Sequence, residues 1–460
     1  MTLRLSLALT LLVVTPALAQ PATTQPAPAD DMATFEKELD ALFSTGGLTA
    51  DQAAQRASEV SPSVRRSAAE IEVAIAQAES AELARVPQIG ATASYTRLSA
   101  VDVPMLGMGF TFPVFLNSYL LQARASVNLS DYVLRYPKLI AAARLAEEVA
   151  RVSNRSRSVN AGQEARLVYY EWIRAKLQNL IAKRQLEQVR TTLRQVRALA
   201  EAQRLSRADL MRVESNEAVA EQASVQLQNL ADLREEQIRI LIDAPSELAL
   251  SVGEDIRADI TAPDRGKLDD LVGAARKQRL DFKVLDTGID AKEKQRAAER
   301  ASLYPKLSAF GQVDYANPNQ RIFPSEDKFN LTWAVGAQVT WTLNETLQAK
   351  TTQRRLLGET NELRADRENL ERGTRIEILA AQQAVAIAQA ALATSAKGLA
   401  AAEEGYRVRR ELLNAQRATA VELVDAETDL TRARIAALNA RVDLRVAIVQ
   451  LTHALGNDVK

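Results

Sequence analysis

Two long stretches without proline constrain most strongly what this chain can fold into: residues 138–244 and residues 325–460 contain none. Proline removes a backbone donor and clashes with the preceding turn inside a helix, so its absence permits unusually long helices. Apolar residues in these stretches recur at alternating spacings of three and four, which is typical of a coiled-coil seam. The seam residues are Leu186, Val189, Leu193, Val196, Ala200, Leu210, Val213, Ala220, Leu227, Leu423, Ala426, Leu430, Ala433, Ala437, Ala440, Leu444, Ala447 and Leu451. The pattern predicts long helices packed side by side, as the wall of a tube or as an ordinary helical bundle.

The chain also contains an internal duplication. Residues 202–210 (AQRLSRADL) align with residues 415–423 (AQRATAVEL), and both copies lie between heptad runs. A proline precedes a strand-like segment in each half, at Pro87 and at Pro305. Each half is therefore predicted to contain a helix, two strands joined by a loop, a long helix, a turn and a returning helix.

The long helices set the dimensions of the molecule. Helices over residues 131–203 and 344–416 would each be about 110 Å long at a rise of 1.5 Å per residue. Each would end in a hairpin tip far from the strands, near 203–206 and near 416–419. Both tips are followed by the S/T-x-x-D/E pattern that caps the start of a helix, formed by Ser206 with Asp209 and by Thr419 with Glu422.

Four other segments alternate between apolar and polar residues, which predicts strands with two unlike faces. The predicted strands cover about 88–99, 119–130, 306–316 and 330–343. Strands of about ten residues with one apolar face fit an outer-membrane barrel, although a soluble sheet with one buried face has the same pattern. Four strands cannot close such a barrel, because the smallest have about eight. The chain must therefore oligomerise if these strands cross a membrane, since an open sheet edge is not viable in lipid.

The alternation assigns each strand residue to a face. The predicted lipid-facing residues are Leu121, Ala123, Ala125, Val127, Leu129, Trp333, Val335, Val339 and Trp341. The predicted lumen-facing residues are Gln122, Arg124, Ser126, Asn128, Gln338 and Thr340. The loops that join paired strands, over residues 100–118 and 317–329, are expected on the extracellular side, opposite the helices.

The N-terminus has the three parts of a secretory signal peptide. Arg4 is followed by an apolar run over residues 5–14 and by Ala-Leu-Ala at 17–19. Together with the internal duplication, this signal peptide divides the chain into four parts. They are the signal peptide (1–19), a flexible N-terminal segment (20–46), a first repeat (47–258) and a second repeat (259–460). Basic and acidic residues balance at 58 each, which argues against general nucleic-acid binding.

The sequence offers little for catalysis. His453 is its one histidine and it has no cysteine, so histidine dyads, multi-histidine metal sites and thiol nucleophiles are excluded within one chain. It also lacks the glycine-rich lysine loop that binds nucleotide phosphates. We therefore expect no enzymatic activity, no metal site and no cofactor.

The motifs around the second tip resemble those of the outer membrane efflux protein family, the TolC-like channels of tripartite efflux and type I secretion systems. The similar stretches are TAVELVDAE at 419–427, the following alanine heptads, and LTHALG at 451–456. The duplicated halves extend the resemblance over nearly the whole mature chain. One departure is that the family commonly has glycine at the hairpin tip, where this chain has Gln203 and Gln416.

The resemblance implies a mixed, mainly α fold: a long antiparallel coiled-coil barrel in the periplasm and four transmembrane strands per chain, completing a twelve-stranded barrel as a homotrimer. It implies location in the outer membrane of a Gram-negative-type cell, surrounded by outer-membrane lipid. Its expected partners are a periplasmic adaptor (membrane fusion) protein and an inner-membrane transporter. The expected adaptor-docking tips are Gln203, Arg204, Leu205, Ser206, Gln416, Arg417, Ala418 and Thr419. The expected acidic ring at the periplasmic entrance is Asp209, Glu422 and Asp425.

Two other functions are compatible with parts of this pattern. A periplasmic adaptor also has coiled-coil hairpins, but adaptors usually have one hairpin and compact β domains. A structural coiled-coil envelope protein without a pore would explain the heptads alone. The duplication and the four amphipathic strands favour a passive export channel over both.

Overall fold

The computed structural model describes residues 37–100, 114–258, 260, 266–415 and 417–458. Its first half contains helices α1 (Ala50–Val60), α2 (Pro62–Leu83), α3 (Leu129–Leu134), α4 (Tyr136–Glu201) and α5 (Arg207–Leu241). Its second half contains α6 (Leu268–Gln278), α7 (Leu280–Glu299), α8 (Leu343–Asn414) and α9 (Ala420–Ala454). The strands are β1 (Phe43–Leu48), β2 (Gln88–Arg97), β3 (Asn117–Asn128), β4 (Lys306–Asn317) and β5 (Asn330–Thr340). The predicted fold class, mainly α with four paired strands, is confirmed.

The internal duplication is visible in the order and length of the elements. Helices α1 and α6 each have 11 residues, and α5 and α9 each have 35. The long helices α4 and α8 have 66 and 72 residues, so they extend over roughly 100 Å and 110 Å. Each long helix pairs with the returning helix of its own half, and α4 also packs against α9. The two hairpins therefore lie side by side.

The first long helix begins later than the sequence predicted. Residues 129–134 form the separate short helix α3, and the chain leaves regular helix geometry at Arg135. Pro137 follows in the first turn of α4, which is where proline fits, because the amide groups there have no partner within the helix. The second copy has no proline at this point and begins directly as α8.

Two predicted lipid-facing residues lie outside the strands, because β3 and β5 end earlier than expected. Leu129 is the first residue of α3, so it is not on the face of the sheet. Trp341 follows the end of β5, and its indole Nε1 donates to Thr346 Oγ1 at 3.1 Å. β3 ends directly at a helix and β5 ends two residues before one, and in both places the alternation of the sequence continues past the last paired residue.

The expected flexible segment 20–46 ends in regular structure. Residues 37–42 are helical, and β1 follows directly. Leu48 N donates to Ser251 O at 2.8 Å, and Gly253 N donates to Leu48 O at 2.8 Å. The backbones approach so closely here that a Cβ at Gly47 would lie 2.6 Å from Val252 C. This strand fastens the N-terminal segment to the connection between the repeats.

The largest apolar core surrounds the middle of α4. Tyr169, Trp172, Ile173 and Leu177 are fully buried there, against α5, α9, β1 and the connection that follows α5. A smaller core near the tips joins the two hairpins and contains Leu193, Val196, Val213, Ala420 and Val424. The helix pairs are therefore held together both at mid-length and near their ends.

Candidate channel wall and periplasmic tips

The four-stranded sheet is antiparallel, in the order β2-β3-β4-β5. Its register brings the apolar residues of all four strands onto one face, because Leu121 lies opposite Ala93 on one side and Tyr315 on the other. This apolar face contains Ile89, Ala91, Ala93, Tyr95, Tyr119, Leu121, Ala123, Ala125, Val127, Leu307, Ala309, Val313, Tyr315, Leu331, Trp333, Val335, Ala337 and Val339. Trp333 and Val335 are 69% and 77% exposed, so this face is uncovered in the single chain.

The opposite face is mostly polar and carries all six residues predicted to face the lumen. Gln122 Nε2 donates to Asp314 Oδ1 at 2.8 Å, and Gln312 Nε2 donates to Asp314 Oδ2 at 3.0 Å. The Arg124 guanidinium lies over the Phe310 ring, 5.2 Å from its centroid. These contacts tie β3 to β4 on the polar side.

Both edges of the sheet are open within the described chain. The ladders join β2 to β3, β3 to β4 and β4 to β5, which leaves the outer sides of β2 and β5 unpaired among the described residues. Unpaired edge strands present backbone donors and acceptors that pair readily with another chain. The sheet is therefore an incomplete structure with two edges able to accept a further strand.

The layer of long helices also has two uncovered sides, which carry exposed apolar side chains. Helix α5 exposes apolar side chains such as Val219 and Ile240, and α8 exposes Ile376 and Ile387. One stretch of α8 is long and apolar enough to cross a membrane by length and composition alone, yet only 22% of it is buried in the single chain. Since α4 and α9 pack between α5 and α8, these four exposed side chains lie on the two outer helices of the layer.

Each hairpin turns through the same hydrogen-bonded C-cap. At the first tip, Gln203 N donates to Ala200 O at 2.9 Å and Arg204 N donates to Leu199 O at 2.8 Å. This is the Schellman pattern, in which one residue adopts the left-handed conformation that glycine favours. Gln203 is that residue, with a φ of 57°. Glutamine therefore takes the place usually filled by glycine, with some backbone strain.

The second tip shows the equivalent bond, from Arg417 N to Leu412 O at 2.8 Å. Gln416 lies outside the residues that the structure describes. The matching residues Leu205 and Ala418 are half-buried, and the side chains of Arg204 and Arg417 are exposed. The described tip residues thus lie at the turns of the two hairpins, one turn in each hairpin.

Both predicted helix caps are confirmed. Ser206 Oγ accepts from Asp209 N at 3.1 Å, and Thr419 Oγ1 accepts from Glu422 N at 3.2 Å. Ser206 Oγ also donates to Asp209 Oδ2 at 2.7 Å. Asp209 therefore takes part in the cap of its own helix.

The predicted entrance acids are each paired with a neighbouring group. The Glu422 carboxylate contacts the Arg409 guanidinium across the second hairpin. Asp425 lies 3.5 Å from Arg212, which joins α9 to α5, and both side chains are more than half exposed. Arg212 and Asp425 are equivalent positions of the two repeats, so this ion pair links one hairpin to the other.

Glu427 was not among the predicted site residues, and its side chain is fully buried between the hairpins. Burial raises the pKa of this carboxyl to about 7, while the hydrogen bond from Thr192 and the charge of Arg410 act in the opposite direction. The sequence did contain a signal: the heptads put Leu423 and Leu430 on the buried seam, and position 427 lies between them, one turn from each.

Comparison with known proteins supports the family resemblance that the sequence indicated. Residues 271–457 match the family profile described as outer membrane efflux protein. No curated protein matches the sequence.

Among solved structures, the chain is similar to the outer-membrane channel OprN, with a TM-score of 0.75 and 18% identity over 96% of this chain and 98% of that one. It is also similar to the CmeC outer membrane channel of Campylobacter jejuni, with a TM-score of 0.75 and 14% identity over 96% and 91%. A third is the outer membrane protein VceC of Vibrio cholerae, with a TM-score of 0.74 and 16% identity over 88% and 96%. At these identities the likeness establishes the fold. The resemblance that the sequence indicated is thus confirmed: residues 271–457 match the profile of the outer membrane efflux protein family, and the chain has the fold of solved outer-membrane channels.

Proposed function

We propose that three copies of this chain form a passive outer-membrane channel for export. The observation that carries the proposal is the open four-stranded sheet with one apolar and one mostly polar face, attached to two hairpins about 100 Å long. A sheet of this kind satisfies its backbone groups in lipid only when its edges are paired. Three chains of four strands give twelve, enough to close a barrel.

In this arrangement β5 of one chain pairs with β2 of the next. The apolar face, with Trp333 and Val335, is directed to lipid, and the polar face, with Arg124 and Asp314, is directed to the lumen. The helical layer closes through the same contacts between chains, because α5 of one chain meets α8 of its neighbour and covers Ile376 and Ile387. One association thus completes both the barrel and the helical tube.

The tips are the proposed docking sites for a periplasmic adaptor. They are the points of the hairpins farthest from the sheet, and a trimer presents six of them. The Arg204 and Arg417 side chains are exposed and have no hydrogen-bond or ion-pair partner within the described chain. A guanidinium offers five donors in a planar fork, which suits carboxylates and backbone carbonyls of a partner. An inner-membrane transporter would supply the energy.

Asp425 and Glu422 are the proposed entrance residues. Three copies of each, close to the tips, would form rings that favour cations and disfavour anions. Their ion pairs with Arg212 and Arg409 reduce this charge while the hairpins stay together.

The test is to purify the full chain from outer membranes, determine its oligomeric state and measure conductance in planar bilayers. We expect a heat-stable trimer that conducts ions. The double variant Ile376→Glu with Ile387→Glu should be monomeric and should not conduct, because it buries charge at the α5–α8 contact. The matched control, Ile376→Val with Ile387→Val, should keep both properties. A protein that conducts no ions and is soluble in the periplasm would indicate an adaptor, and a membrane trimer without conductance would indicate a structural envelope protein.

A further inference from the structure

Glu427 joins the two hairpins at a buried point near their tips. Its side chain on α9 is 2% exposed, and Thr192 on α4 is 5% exposed. Thr192 Oγ1 donates to Glu427 Oε1 at 2.7 Å. The second oxygen, Oε2, is buried and has no hydrogen-bond partner in the described part of the chain. A buried carboxylate with one unsatisfied oxygen is costly, and the protonated acid costs less because it carries no charge.

The charged groups around this carboxyl leave it poorly compensated. Within the described chain, the positive charge of Arg410 on α8 lowers the pKa of Glu427, but burial has the larger and opposite effect. On the other packed helices, Arg190 of α4 pairs with Glu217, and Arg212 of α5 pairs with Asp425. On α9 itself, Glu422 contacts Arg409, and Asp429 pairs with Arg432.

The first repeat shows a second orientation that the side chain of such a glutamate can adopt. The alignment of the two tips makes Glu214 the counterpart of Glu427, and Arg197 the counterpart of Arg410. Glu214 turns outward across its own hairpin, and its carboxylate lies 2.9 Å from the Arg197 guanidinium. The same backbone site therefore supports an outward, ion-paired side chain in one repeat and an inward, buried side chain in the other.

We propose that Glu427 is a proton-operated latch between the hairpins: the neutral acid stays buried on Thr192 and holds α9 against α4, and loss of its proton to solvent turns the carboxylate outward toward Arg410 and loosens this seam. The pKa of about 7 puts the transition near neutral pH. The seam lies roughly 10–20 Å from the tips at 1.5 Å per residue. Loosening it would widen the proposed periplasmic entrance, and this last step rests on the proposed channel function.

Two measurements on the full-length protein test the latch, one of them independent of conduction. The first is hydrogen exchange of the amides in residues 420–431, compared between variants at the same pH so that intrinsic exchange rates cancel. At pH 8 these amides should exchange several-fold faster in the wild type than in Glu427→Gln, which is permanently neutral, and at pH 6 the two proteins should agree. Glu214→Gln, the repeat counterpart, should behave as the wild type at both pH values.

The second measurement is conductance in planar bilayers between pH 6 and pH 8. The wild type and Glu214→Gln should open as the pH rises through about 7, and Glu427→Gln should keep its low-pH conductance throughout. Thr192→Val should move the transition to higher pH, because Thr192 lowers the pKa of Glu427; a merely structural contact would not shift a pH midpoint. Equal exchange and equal pH profiles for the wild type and Glu427→Gln would overturn the latch. A wild type that conducts at no pH would instead refute the proposed channel, and the exchange comparison would then decide the latch alone.

Discussion

At the scale of single residues, Glu427 is a costly group at the interface between the hairpins. Glu427 has one carboxyl oxygen satisfied by Thr192 and the other buried without a partner in the described chain. Its ionisation in the folded protein is disfavoured by burial, whereas in the unfolded chain the carboxyl is exposed to water. Stability should therefore depend on pH through this residue.

The sign follows from the two pKa values. The pKa of this carboxyl rises from its ordinary value of 4.5 to about 7 in the folded protein, so the folded chain holds a proton that the unfolded chain loses. The stability contributed by this site is present below about 4.5 and is lost as the pH rises to about 7. Glu427→Gln should therefore leave stability little changed at low pH and raise it by up to about 3 kcal/mol at pH 8, at 1.36 kcal/mol per pKa unit. Denaturant unfolding of both proteins at several pH values measures this, with Glu214→Gln as the control; a constant difference across pH would contradict it.

Gln203 is the second residue-scale case. Its φ of 57° is in the left-handed region, which costs an L side chain about 1–2 kcal/mol. Gln203→Gly should relieve this strain and stabilise the protein by about 0.5–1 kcal/mol, net of the greater freedom that glycine has in the unfolded chain. Gln203→Val should destabilise it, because β-branched residues are outliers at positive φ. The midpoint of denaturant unfolding measures all three proteins, and the prediction is wrong if Gln203→Gly is no more stable than the wild type.

At the scale of elements, each strand is defined by its two faces and each helix by its cap. The register carries a single apolar face across β2, β3, β4 and β5. The caps at Ser206 and Thr419 begin α5 and α9 at equivalent positions. These local features repeat in both halves of the chain, so each half presents a similar building block.

Neighbouring positions on β3 provide a matched test of the faces. Ala125 is on the apolar face, opposite Ile89 and Gly311, whereas Ser126 is on the polar face, opposite Gln88 and Phe310. Ala125→Lys should destabilise the inserted protein by about 2–4 kcal/mol if the site lies near the bilayer midplane. Ser126→Lys should be tolerated in a water-filled lumen. Unfolding from lipid vesicles gives both values, and equal losses at the two positions would reject the assignment of faces.

At the scale of the whole molecule, the described chain is open at the edges of both of its layers. Both the sheet and the helical layer leave two edges uncovered in the described residues, and the edges lie on β2 and β5 and on α5 and α8. The tips lie at the opposite end of the molecule from the sheet. The proposed assembly and the proposed partner binding therefore involve different surfaces, so mutation should separate them.

The double variant Arg204→Glu with Arg417→Glu tests this separation. It should leave trimers in the outer membrane and abolish export, because acidic side chains replace the proposed adaptor-binding guanidinium groups. Arg207→Glu, an exposed substitution in the first turn of α5, is the control and should retain export. Export by the double variant at normal trimer abundance would exclude the tip arginines from docking, and loss of the trimer would give them a structural role instead.

The sequence by itself determined the elements whose signal is local. Proline placement and heptads predicted the long helices, strict alternation predicted the strands, and the aligned AQR motifs predicted two equivalent tips with caps at Ser206 and Thr419. Each depends on residues within a few turns or pleats, where backbone geometry imposes the period. The break at Arg135 and the early ends of β3 and β5 were missed because they depend on how one element of secondary structure passes into the next.

Only the tertiary structure decided which side chains meet across the two halves. The burial of Glu427 on Thr192, the ion pair between Arg212 and Asp425, and the pairing of β3 with β4 all join residues that are far apart in the chain. Glu427 and Glu214 occupy equivalent positions, yet one is buried and the other is ion-paired. The difference lies in the neighbour: α9 packs against α4 of the other hairpin along its length, whereas α5 leaves its outer side open.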